Sequence, residues 1–291
     1  MGQSCARCQY RCRLACQLHS CTQRKTLPKE NHNVAYTRVK VEQRASIAII
    51  TLHEPEKRNP FSPLLIDELT DALTSIAANE ETIAIIFTGS GTAFSSGADL
   101  RVIRKVTAME DRHEYDRILA MNRLIWNYPK VTIAAVNGVA LGLAASFVGW
   151  CDLAVAAESA TFGYPEVRAG IASASVIPTL MRVIGRKAAN ELLLIGKPIS
   201  AQEALRLGLV NRVVADGGAL AAALELAGEV AQNTAHGLAF TKDVIRTTTD
   251  MEYSKALDYA RDVRVISRLH PAFQARIDDY LSNRELRTGK K

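Results

Sequence analysis

A chain of 291 residues that is 48% hydrophobic and 23% charged is long enough to bury a large core without disulfides or metal. Its net charge of +6 does not mark a nucleic-acid or membrane surface, because the charge is concentrated at one end. Within residues 1–30, Arg7, Arg11, Arg13, Arg24, Lys25 and Lys29 face Glu30 alone, a local net of +5 that leaves +1 for the remainder.

The same segment holds five of the six cysteines: Cys5, Cys8, Cys12, Cys16 and Cys21. Only Cys151 lies in the body, which excludes a disulfide framework there and points to a reducing compartment, the cytoplasm. Cys5-x-x-Cys8 has a ligand-like spacing, but no second such pair completes a tetrahedral site, so no metal is expected. The sequence predicts a disordered extension over residues 1–33. Its acid-free, basic start also has the look of an organelle presequence, which leaves that alternative open.

Past the extension, Val34–Glu42 and Ser46–Leu52 alternate and are rich in β-branched residues, predicting a strand pair. Ser62 and Pro63 supply an N-cap and a first-turn proline for a helix to about Asn79. Thr82–Thr88 reads as a strand buried on both faces, running into a Gly/Ser loop from Gly89 to Gly97. A helix over Ala108–Asn127 follows. The uncharged run Val131–Trp150 is long enough to span a bilayer, yet Asn137-Gly138 and Gly142 divide it into a strand, a turn and a helix. No transmembrane segment is predicted. Leu153–Ala156 is another strand, Ser200-x-x-Glu203 a capping box, Gly208 a helix stop and Leu209–Val214 the last strand. Helices alone are predicted from Gly218. This order predicts an α/β core over 34–217 and a helical region over 218–291.

Several chemistries lack their signature. Gly89-Ser-Gly91 begins like a dinucleotide loop, but Phe94 stands where the third glycine belongs. No phosphate-binding GxxxxGK[ST] and no G-x-S-x-G elbow occurs, and the body histidines are isolated. What remains is a pair of strand-exit loops of small residues, Ala93–Asp99 and Asn137–Ala144. Glycine turns before helices aim unpaired N–H groups outward, and two such loops side by side suit a developing oxyanion.

The segments HEPEKRN (53–59), FTGSGTAFSSGADL (87–100), AAVNGVALG (134–142), CDLAVAAESATFGYPEVRAG (151–170) and GKPISAQEALRLGLVNRVV (196–214) resemble the enoyl-CoA hydratase/isomerase, or crotonase, family in order and spacing. The resemblance covers residues 34–285. It implies a spiral of ββα units with a C-terminal trimerisation region, assembled as a homotrimer or hexamer. It further implies an acyl-CoA substrate, with coenzyme A belonging to that substrate and no separate cofactor.

Carried over by position, the backbone N–H groups of Ala98 and Leu143 form the oxyanion hole, Leu143 replacing a usual glycine. The loop around Lys57, Arg58, Ser95, Ser96 and Asp99 holds the CoA nucleotide, mostly through backbone groups, and Lys242 either meets a CoA phosphate or is a solvated lysine. Hydratases of the family carry two glutamates. The second matches Glu166 and the first falls on Ser146, so one glutamate is the expected acid/base, with Ser146 able to help hold a water. The resemblance leaves isomerisation, hydration and hydratase-lyase chemistry open. It also leaves a non-catalytic acyl-CoA-binding homologue, and a hydrolase or decarboxylase using the same hole.

Overall fold

The computed structural model describes residues 36–99, 101 and 107–288; the expectations for residues 1–33 lie outside them. Among the described residues, ten strands form two sheets. Five neighbouring strands of the larger sheet run parallel: β2 (Ile47–Leu52), β3 (Ala84–Gly89), β5 (Val131–Val136), β7 (Leu153–Ala157) and β10 (Arg212–Val214). The antiparallel edge is β1 (Val39–Arg44), paired Val39↔Leu52 through Arg44↔Ile47. The smaller sheet orders β4 (Ala93–Ser95), β6 (Val139–Leu141), β8 (Thr161–Gly163) and β9 (Ile199–Ser200).

Helices follow the strand pairs: α1 (Pro63–Ala78), α2 (Ala108–Trp126), α3 (Leu143–Trp150), α4 (Ile177–Val183), α5 (Arg186–Ile195) and α6 (Ala201–Leu207). The chain then remains helical through α7 (Ala219–Ala231), α8 (Ala235–Thr248), α9 (Tyr253–Ser267) and α10 (Pro271–Thr288). A strand in the large sheet, a short strand in the small sheet and a helix recur as β3-β4-α2, β5-β6-α3 and β7-β8-α4. This is the ββα spiral with a helical C-terminal region.

Alternation along the central strands explains why they read as continuous apolar runs. Ile85, Phe87, Ala134 and Val136 face one core with Leu65, Leu69, Leu73 and Phe147. Ala84, Ile86, Ile133 and Ala135 face the other, against Ala223, Leu226 and Ala227 of α7. With both faces covered, every side chain of β5 is buried. Ser62 Oγ accepts from Leu65 N–H and Gly208 ends α6 at φ +82°, as their sequence signals predict. The Ser200 box is half made: Ser200 Oγ accepts from Glu203 N–H, while the Glu203 carboxylate turns to Arg206. The last strand begins at Arg212 rather than Leu209, and β4 occupies part of the predicted Gly/Ser loop.

Candidate active site

The ends of β4 and β6 bring two glycines together. Gly97 has φ +94° and Gly142 φ +54°, conformations that glycine adopts at least cost. A Cβ on Gly97 would lie 2.5 Å from Leu141 O and 3.5 Å from Leu143 N, so the two loops approach at van der Waals contact only because Gly97 lacks one. Asn59 fixes the first loop from below. Its buried Nδ2 donates to the carbonyls of Ser90 (2.9 Å), Ala93 (2.9 Å) and Phe94 (3.2 Å), and Oδ1 accepts from Glu54 N–H. Asn137 ties the second loop to the first, with Oδ1 accepting from Gly89 N–H and Nδ2 donating to Gly91 O.

The N–H groups beyond the two glycines are left unpaired among the described residues. Phe61 N–H donates to Gly97 O and Asp99 N–H to Phe61 O, a parallel bridge that turns the intervening Ala98 N–H the other way. Leu143 opens α3, where the first N–H groups have no helical acceptor, and no side chain caps this end. Leu143 is not among the positive-φ residues, so the position does not require glycine. Both residues, with Gly142 between the loops, line a cavity of about 780 Å³.

Glu166 reaches the same point from the 3-10 turn Pro165–Ala169. A Cβ on Gly142 would stand 2.3 Å from Glu166 Oε1, which puts the carboxyl directly over the mouth of α3. Gly142 N–H donates to Gly163 O at 2.7 Å, locking β8, and hence Glu166, to the loop. Burial raises the Glu166 pKa above the ordinary carboxyl value; a backbone hydrogen bond and Ser173 Oγ oppose the shift. A carboxyl held in this way is a better proton acceptor than one in water. α2 contributes Glu114, Tyr115 and Ile118 to the cavity lining.

An enoyl-CoA hydratase/isomerase family model matches residues 42–285. The chain belongs to the enoyl-CoA hydratase/isomerase family. It is 42% identical over 206 residues to a putative enoyl-CoA hydratase of Thermus thermophilus, covering 70% of this chain and 81% of that protein. A probable mitochondrial enoyl-CoA hydratase of Dictyostelium discoideum is 33% identical over 221 residues, 76% of this chain and 79% of that one. The crystal structure of an enoyl-CoA hydratase from Polaromonas superposes with a TM-score of 0.80 at 31% identity, covering 84% and 97% of the two chains.

Within this family fold, not every residue carried over from the resemblance reaches the cavity. Lys57, Ser96 and Asp99 line it, Lys57 ion-paired to buried Glu54 and Asp99 to Arg101 at 2.8 Å. Arg58 does not; its side chain is exposed, and its carbonyl accepts from Ser96 N–H. Ser95 is fully buried, its Oγ accepting from Gly97 N–H at 3.1 Å, so its side chain shapes the loop and does not line the cavity. Ser146 is also displaced. It is 1% exposed, absent from the cavity wall and turned toward the Tyr164 phenol, with no hydrogen bond of ordinary geometry to its Oγ. α3 presents Leu143 to the cavity and carries Ser146, one helical turn on, into the core.

Lys242 is corrected most sharply. It is neither solvated nor available to a phosphate: its side chain is 11% exposed, paired with Asp152, and donates to Lys130 O at 2.6 Å. Asp152 also accepts from Thr132 N–H and Oγ1, so the cluster pins α8 to the starts of β5 and β7. Burial lowers the Lys242 pKa, and the attraction of Asp152 opposes that. Lys242→Met is expected to lower unfolding free energy by about 2 kcal/mol, since Asp152 loses its counter-ion but keeps the Thr132 bonds. Urea melts measure this. A tenfold loss of acyl-CoA affinity at unchanged stability would restore the phosphate role.

Proposed function

We propose that the chain is an enzyme acting on enoyl-CoA thioesters through an enolate. The N–H groups of Ala98 and Leu143 stabilise the thioester oxyanion and Glu166 moves the proton. The observation that carries this reading is that two adjacent loops with unpaired N–H donors, and a half-buried carboxyl whose Oε1 lies over Gly142, line one cavity. Fixed donors contribute most where charge develops, about 10²–10³ in rate for one donor. The nucleotide end falls to Lys57, Ser96 and Asp99, with Arg58 exposed beside them. Coenzyme A enters as part of the substrate.

Hydration is the first reading, in keeping with the hydratase names of the Thermus, Dictyostelium and Polaromonas proteins. The withdrawal of Ser146 from the cavity favours a second, a double-bond shift in which one carboxylate carries the proton between two carbons. Mass-spectrometric analysis with 2-enoyl- and 3-enoyl-CoAs in ¹⁸O-water separates them. One labelled water gained means hydration; a moved double bond without mass gain means isomerisation. Tight CoA-ester binding with no product from either would replace both with a binding function.

Tyr253, Leu257, Val265 and Leu269 of α9 and its C-terminal end are exposed, which supports assembly into a homotrimer or hexamer through the C-terminal helices. No described helix is long and apolar enough to cross a membrane. The free thiol of Cys151 suits a reducing compartment, the cytoplasm or an organelle interior.

A further inference from the structure

The fold treats the two oxygens of the Glu166 carboxyl differently. Oε1 lies against Gly142, beside the unpaired N–H groups, while Oε2 accepts a 3.4 Å hydrogen bond from Ser173 Oγ. Ser173 is itself part of the cavity wall. Its segment is held in place from both sides: Ile171 N–H donates to Glu166 O at 3.0 Å and Val176 N–H to Ser173 O at 3.2 Å. The hydroxyl is therefore anchored to the same short stretch of chain that carries the carboxyl.

We propose that Ser173 is a positioning residue for Glu166: it anchors Oε2, leaving Oε1 as the oxygen that faces the reacting carbon. This rests on the reading of Glu166 as the acid/base. The terminal torsion of a glutamate is soft, so without an anchor the two oxygens exchange freely and neither keeps its aim. Beside the backbone hydrogen bond to the carboxyl, a hydroxyl donor on Oε2 restricts that freedom further and favours the ionised form, against the burial that disfavours it. At 3.4 Å the bond is long for O–H···O, and such contacts tighten when substrate displaces water from the cavity. Ser146 offers no such help, because its hydroxyl is outside the wall and faces Tyr164. The side-chain partner of the glutamate thus comes from the segment after it in sequence, not from α3.

The test reads the titration of Glu166 directly, in full-length protein labelled with carboxyl-¹³C glutamate, using Glu166→Gln to assign the signal. Ser173→Ala is expected to raise the titration midpoint by about half a pH unit to one unit, the loss of one hydrogen bond to a charged group. Ser173→Thr, which keeps the hydroxyl, restores it, and Ser146→Ala moves it less than Ser173→Ala does. In turnover, Ser173→Ala lowers kcat about tenfold with KM within about threefold, because aim rather than binding is lost. The acid limb of the pH–rate profile shifts upward with the titration. A midpoint unmoved by Ser173→Ala, or moved more by Ser146→Ala, overturns the proposal. If the midpoint moves as expected but no enoyl-CoA is converted, the positioning role stands and the assigned reaction falls.

Discussion

Glu166→Gln is expected to lower kcat by about 10²–10⁴ with little change in acyl-CoA affinity, the usual contribution of a placed general base. Glutamine has nearly the same shape and still accepts from Ser173 Oγ, so the cavity is preserved while its proton acceptor is gone. Retention of more than about a tenth of wild-type turnover would remove Glu166 from the mechanism. The pH dependence has a definite sign. Burial raises the folded-state pKa above the ordinary carboxyl value, so activity that needs the carboxylate rises with pH through that raised value.

The same shift governs stability. Between the unfolded and the raised folded pKa the folded protein holds the proton more tightly, so unfolding releases protons and stability falls as pH rises through this window. The cost is absent below the unfolded value and fully present above the folded one. Glu166→Gln removes it, so the variant should melt higher than wild type at neutral pH while losing turnover. Loss of both together would mean that Glu166 supports the fold rather than the chemistry.

Much of this was legible in the sequence, for identifiable reasons. β5 is legible to the residue because a strand buried on both faces is an uncharged, largely apolar run, here ending at Asn137-Gly138. Strands β4, β6, β8 and β9 were not, since two or three residues carry no measurable period and the pairing that makes them strands is non-local. The loops with Gly97 and Gly142 declared themselves by composition, and the structure supplies their mutual contact. Ser146 and Lys242 went astray for opposite reasons. The resemblance places Ser146 near Glu166, but Ser146 lies nearly a turn further into α3 than the cavity-lining Leu143, and that depth leaves it in the core. A lysine on an exposed-looking helix gave no sign that Asp152 waited for it across ninety positions of sequence. The stretch around Ala172–Ile177 is legible as cavity lining, but the Ser173 hydroxyl carries no signal of its own: a serine among alanines acquires meaning only when a carboxylate is seen beside it.

Gly142→Ala should be nearly as damaging to turnover as loss of the carboxylate, by a different route. Gly142 has φ +54° and ψ −118°, a conformation that an alanine adopts only under strain, at a cost of roughly 1–3 kcal/mol. The new methyl would stand 2.3 Å from Glu166 Oε1 and 3.1 Å from its Cδ. Because the obstacle is the end of a flexible side chain, the protein escapes the clash by swinging the carboxyl away, not by unfolding. An ångström of misplacement suffices for about a hundredfold loss in rate. The expected result is folded protein with a modestly lowered Tm, acyl-CoA affinity near wild type, and kcat down about a hundredfold. Gly97→Ala makes the instructive comparison, since its methyl would meet Leu141 O at 2.5 Å. Backbone cannot swing aside, so that variant should pay mainly in stability. Should Gly142→Ala instead turn over at near the wild-type rate, the position of Glu166 over the mouth of α3 would not be the reactive one, and the assignment of Oε1 as the working oxygen would fail with it.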